Sequence, residues 1–111
     1  MKTIDILKDF SVTPGARYIT DGPFSGEDFR NRFLDSHFAD PAADYKIKII
    51  LDGTEGYATS FLEEAFGGLA RKYGKQRCLD RLVFVSEEEE LLPGEIENYI
   101  KHCNDKSEVK K

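Results

Sequence analysis

The chain has no tryptophan, one methionine, two histidines, two cysteines and four prolines, and each scarcity removes a class of function. His37 and His102 fall on different predicted helices, and neither stands at ligand spacing from a third residue. A histidine-built metal centre is therefore not expected, and neither is a Ser-His-Asp hydrolase, since no G-x-S-x-G elbow is present. Cys78 and Cys103 are too few for a disulfide scaffold and are expected as reduced, packed thiols. There is no apolar run of about 18 residues and no charged-then-apolar start, so a soluble cytoplasmic protein is the expectation. Basic residues are outnumbered 16 to 21 by acids and are scattered along the chain, which argues against nucleic-acid binding.

What is present suits a globular core. Apolar residues make up 40% of the 111, with eight Phe and five Tyr, too hydrophobic for a disordered chain. One domain over 1–103 is expected, burying roughly 65% of its unfolded surface. Residues 104–111 (NDKSEVKK) are polar apart from Val109 and read as a disordered tail.

Hydrophobic periodicity then assigns the elements. Residues 3–10 (TIDILKDF) alternate as a strand, Pro14 and Gly15 form a turn, and 16–20 (ARYIT) return as the second strand of a hairpin. Ser25 caps a helix that ends where Pro41 pushes Asp40 out of the helical region. Residues 45–52 (YKIKIILD) read as a central strand covered on both faces. Phe61, Leu62, Ala65, Phe66, Leu69, Ala70 and Tyr73 mark a second helix, closed by Gly74. Residues 79–86 form a further strand, and Pro93 opens a third helix. The order is ββαβαβα, an α/β fold with a mixed four-stranded sheet: an N-terminal hairpin plus parallel strands, packed with about three helices.

The passage over 49–74 (IILDGTEGYATSFLEEAFGGLARKYG) carries most of the functional signal. A strand runs into the loop Asp52, Gly53, Thr54, Glu55, Gly56 and Tyr57, past the carboxyl end of a central strand, where open α/β sheets bind ligands. G-T-E-G is neither a dinucleotide fingerprint nor a Walker loop. Ser60, three residues before Glu63, completes a capping box, which leaves Thr59 as the more open hydroxyl at the positive end of the helix dipole. Angular arithmetic places Gly67 among Glu63, Glu64 and Arg71, away from the apolar centre, with Gly68 on the flank. Each glycine costs roughly 1 kcal/mol in a helix interior. Either a partner's backbone approaches there, or Gly68 lets a neighbour pack closely.

Ser25 to Arg30 (SGEDFR), Leu51 and Asp52, and Ser60 to Leu69 (SFLEEAFGGL) together resemble the STAS-like family of small bacterial domains. The chain is more distantly similar to the broader STAS domains, the anti-sigma factor antagonists. In those, a serine at the helix entrance is phosphorylated by a histidine-kinase-like ATPase that is also the binding partner. Aligning Leu62 with the leucine of their Asp-Ser-Ser-Gly-Leu motif puts Thr59 and Ser60 on its two serines, Thr59 on the usual acceptor. Ala58 replaces the aspartate and Phe61 the glycine.

The resemblance implies a non-catalytic regulatory switch that uses no cofactor. It docks a protein partner, such as that serine kinase or an anti-sigma factor, through the entrance and flank of the second helix. Two other functions remain open. One is a small-ligand or nucleotide-binding module, or weak enzyme, using the loop from Asp52 to Ser60. The other is a homodimeric scaffold joined at Gly67 and Gly68.

Overall fold

Strand β1 (Lys2–Asp5) stops although the sequence alternation continues. The computed structural model, which describes residues 1–103 and so not the polar segment 104–111, shows why. Asp5 Oδ1 accepts the Lys8 N–H at 3.2 Å, and Asp9 Oδ2 accepts the Asp5 N–H at 2.8 Å. Such local bonds compete with a strand ladder, and Ile6–Phe10 closes as one wide π turn. The hairpin return over 16–20 does not form either. Ala16 O and Arg17 O instead accept the N–H groups of Gly26 and Glu27 at 2.8 and 3.0 Å, donors that the start of the next helix leaves without intrahelical partners.

β1 pairs in parallel with β2 (Ile47–Ile50), Lys2 beside Ile47 and Ile4 beside Ile49. β2 pairs in parallel with β3 (Leu82–Val85), Ile47 beside Leu82 and Ile49 beside Phe84. Among the described residues a three-stranded parallel sheet, ordered β1-β2-β3, thus replaces the expected four-stranded mixed one.

Helix α1 (26–39) joins Gly26–Phe29, Arg30–Leu34 and Asp35–Ala39 through a central π turn. Ser25 Oγ accepts the Asp28 N–H at 3.0 Å, the cap read from the sequence. Helix α2 (59–73) joins Thr59–Leu62, Glu63–Gly67 and Gly68–Tyr73 in the same way. Gly74, at φ 107°, ends it.

The chain then makes an additional helix, α3 (Lys75–Arg81), where the sequence suggested a strand from Leu79. Tertiary bonds decide this. Arg77 and Arg81, one helical turn apart, donate to Phe38 O and His37 O at 2.7 Å each, the free carbonyls at the end of α1. Helix α4 (Leu92–Lys101) carries Pro93 in its first turn, as expected. Counting the π turn and a short 3-10 turn at Ile19–Asp21, the described residues hold six helical segments rather than about three; none of these is long and apolar enough to cross a membrane.

The core lies on one side of the sheet. Ile4, Ile47, Ile49 and Leu82 are buried there, and Phe84 meets Phe66 of α2 edge-on at 5.2 Å. Phe29 of α1, Phe61 and Leu69 of α2, and Ile96 and Ile100 of α4 complete it. The alternate residues Thr3, Asp5, Lys48, Ile50, Val83 and Val85 take no part in the core, so β2 is not covered on both faces. Both strand connections step the same way along the sheet, and connections of one hand then place their helices on one side.

Candidate functional site

The loop after β2 lies beside the loop after β3, and Asp52 ties them together. Its Oδ1 accepts the N–H groups of Glu87 and Glu88, both at 2.9 Å. Gly53 donates its N–H to Glu88 Oε1 at 2.9 Å. Gly53 also needs to be glycine: its φ is 93°, and a Cβ there would lie 2.6 Å from Leu7 Cδ2. Glu55 and Gly56 are exposed, and the Glu55 N–H is anchored on Val12 O at 2.9 Å. The Tyr57 hydroxyl donates to Leu51 O at 2.7 Å. Burial pushes this phenol up to about 12, against a smaller pull from the Thr54 hydroxyl.

Between the loops lies a pocket of about 170 Å³ whose lining includes Asp52, Glu55, Tyr57, Glu88, Glu89 and Leu92. Ligand sites usually measure roughly 300–1,000 Å³. Its size and its acids both oppose a nucleotide's phosphates. Among the described residues, no group of three or more His, Cys, Asp or Glu is placed to hold a metal ion. Cys78 and Cys103 are both buried; burial, with Cys103 nearby, pushes the Cys78 thiol up to about 12.

Thr59 is the first residue of α2 and exposed; Ser60 is the second and partly buried. The cap position belongs to Ala58, and no side chain closes the first turn. The expected capping box between Ser60 and Glu63 is therefore absent. Glu63 is held elsewhere, by Arg17 Nη1 at 2.5 Å and Arg71 Nη1 at 2.6 Å. No hydrogen bond engages the Thr59 or Ser60 hydroxyl among the described residues.

The flank of α2 is not open. Glu64 is 7% exposed, and Arg30 Nη1 donates both to its Oε2 at 2.7 Å and to its carbonyl at 2.6 Å. That carbonyl is available because the π turn sends the Gly68 N–H back to Glu63 O, five residues earlier. Burial alone would lower Arg17 and Arg71, but Glu63 and Glu64 hold both guanidiniums above their ordinary range.

Gly67 and Gly68 are buried, which, of the two accounts left open by the sequence, favours close packing over a bare docking face. A Cβ on Gly67 would lie 2.8 Å from Glu63 Oε2 and 3.3 Å from Tyr99 O of α4. One on Gly68 would collide with Arg30 Nη1, and one on Gly26 with Phe61 O. The glycines exist for close packing. Sequence reasoning placed Glu63, Glu64 and Arg71 on one face but missed Arg17 and Arg30, whose partners lie 46 and 34 residues away. The SGEDFR motif did contain Arg30, and the structure shows that this motif and the α2 motif form one packed unit.

A family model described as a STAS-like domain of unknown function matches residues 25–92, more than half of the chain and both halves of that unit. No curated protein and no solved structure matches. The chain belongs to the family of STAS-like domains.

Proposed function

We propose that this STAS-like domain is a non-catalytic regulatory module that docks a protein partner at the entrance of α2 and is switched by phosphorylation of Thr59. The observation that supports this reading is a helix start capped by Ala58, with an exposed threonine hydroxyl that no described residue engages. A phosphate there adds about −1.5 to −2 charges beside the unpaired N–H groups of the first turn. The nearest acid of α2, Glu63, is already neutralised by Arg17 and Arg71, which lowers the repulsion a phosphate would meet. Exposed Val12 and Phe24 offer apolar surface close by, Val12 bonded to the 52–57 loop and Phe24 through its ring contact with Phe10.

Incubation with a histidine-kinase-like ATPase encoded nearby and ATP tests it. Complex formation and a phosphate on Thr59, lost in Thr59→Ala, are expected. The absence of both a complex and a phosphate on Thr59 or Ser60 would sink the reading. The pocket between the loops supports a second reading, a small uncharged or cationic ligand. A ligand at 100 times its Kd would add about 2.7 kcal/mol to thermal stability.

A further inference from the structure

Parallel sheets are almost always covered on both faces, yet among the described residues the hydrophobic core takes side chains from only one face of this sheet. The other face carries Thr3 and Asp5 on β1, Lys48 and Ile50 on β2, and Val83 and Val85 on β3; Thr3 and Val83 are exposed and the other four partly buried. Val83 is 38% exposed, and Met1, two residues before Thr3 and so on the same side, is 73% exposed. Four-residue strands spaced about 4.8 Å apart make this face about 14 by 13 Å. Its β3 side is apolar; its charges, Asp5 and Lys48, lie on neighbouring strands one register row apart. Lys48 has no ion pair among the described residues, and Asp5 commits only Oδ1, to the Lys8 N–H.

We propose that this face associates with the same face of a second copy of the chain, the two sheets stacked antiparallel about a two-fold axis. The charge pattern selects both the occupant and the arrangement. A two-fold across the strands exchanges the row Thr3, Lys48, Val83 with the row Asp5, Ile50, Val85. Lys48 then lies over Ile50 of the second copy, one strand from its Asp5, across the roughly 10 Å between packed sheets that a lysine side chain helps to span. Val83 lies over Val85. A two-fold along the strands would instead stack Lys48 on Lys48 and lay Asp5 on Val85, burying like charges and an unpaired carboxylate. The face is thus self-complementary, as an isologous interface requires. The face is well below the roughly 800 Å² per partner of stable complexes, so the dimer is weak and concentration-dependent.

Sedimentation equilibrium of the purified chain tests this, from about 10 μM to 1 mM, the range suited to a small interface. The average mass should climb from monomer towards dimer, and less so in high salt. Lys48→Glu should weaken association about tenfold, a loss of about 1.4 kcal/mol. Lys48→Glu with Asp5→Lys should restore it by swapping the pair. Asp5→Lys also removes the cap of the π turn, so Val83→Glu, on an already exposed side chain, provides an independent arm and should abolish association. A wild-type chain that stays monomeric throughout would overturn the proposal. So would a dimer indifferent to Val83→Glu, or a folded double variant no better than Lys48→Glu. Thr59 is untouched in every variant, so failure here leaves the reading of the α2 entrance standing.

Discussion

Gly68→Ala opposes two effects whose sizes can be compared. In a helix interior alanine is favoured over glycine by about 1 kcal/mol. At Gly68, however, the new methyl would occupy the place of Arg30 Nη1, which holds both the carboxylate and the carbonyl of Glu64. The side chains of Arg30 and Glu64 are 14% and 9% exposed, so the displaced pair is poorly compensated by water. Breaking such a pair costs about 3–5 kcal/mol, reduced here because Glu64 keeps its 3.5 Å contacts with Arg17 and Arg71. The net expectation for Gly68→Ala is a loss of about 1–2 kcal/mol, or a melting midpoint lower by roughly 4–8 °C. In an Arg30→Ala background the obstacle is gone, and Gly68→Ala should stabilise by about 1 kcal/mol. Gly94, where an added methyl would meet nothing within 4 Å, serves as a control that should gain in either background. Urea denaturation of the cycle measures the coupling. A Gly68→Ala variant that is stabilised with Arg30 present would refute the packing account of this glycine.

Two titrations follow from the same structure. Burial raises the Tyr57 phenol to about 12 from an ordinary 10, so its stabilising contribution is complete below pH 10 and lost as pH rises towards 12. Tyr57→Phe should flatten that part of the alkaline unfolding curve, and should also cost about 1 kcal/mol at neutral pH by freeing Leu51 O. His37 is held below its ordinary value by burial and by the charges of Lys2 and Arg81. Its contribution is therefore complete above pH 6.5 and lost as pH falls below it, so His37→Gln should reduce the loss of stability between neutrality and about pH 5.

Much of the framework was legible in local chemistry. The Ser25 cap, the stop before Pro41, the apolar stripe of α2, Gly74 and Pro93 each act within a few residues, so periodicity and capping rules found them. The loop over 52–57 was also rightly placed at a strand's carboxyl end, because strand, loop and helix follow one another directly in the sequence. The family could be read from its motifs for the same reason.

What the sequence left undetermined depends on residues far apart in the chain. The alternation of 3–10 looked like a long strand because the bonds of Asp5 and Asp9 that end it are invisible to periodicity. Residues 75–81 became helix because Arg77 and Arg81 find the carbonyls of α1. Ser60 and Glu63 stand at capping-box spacing, but Arg17 and Arg71 draw Glu63 away and leave both hydroxyls unengaged. Sequence by itself determined which side chains share the flank of α2. Only the tertiary structure decided that the flank is closed, because closing it required cations and carbonyls brought from other segments of the fold.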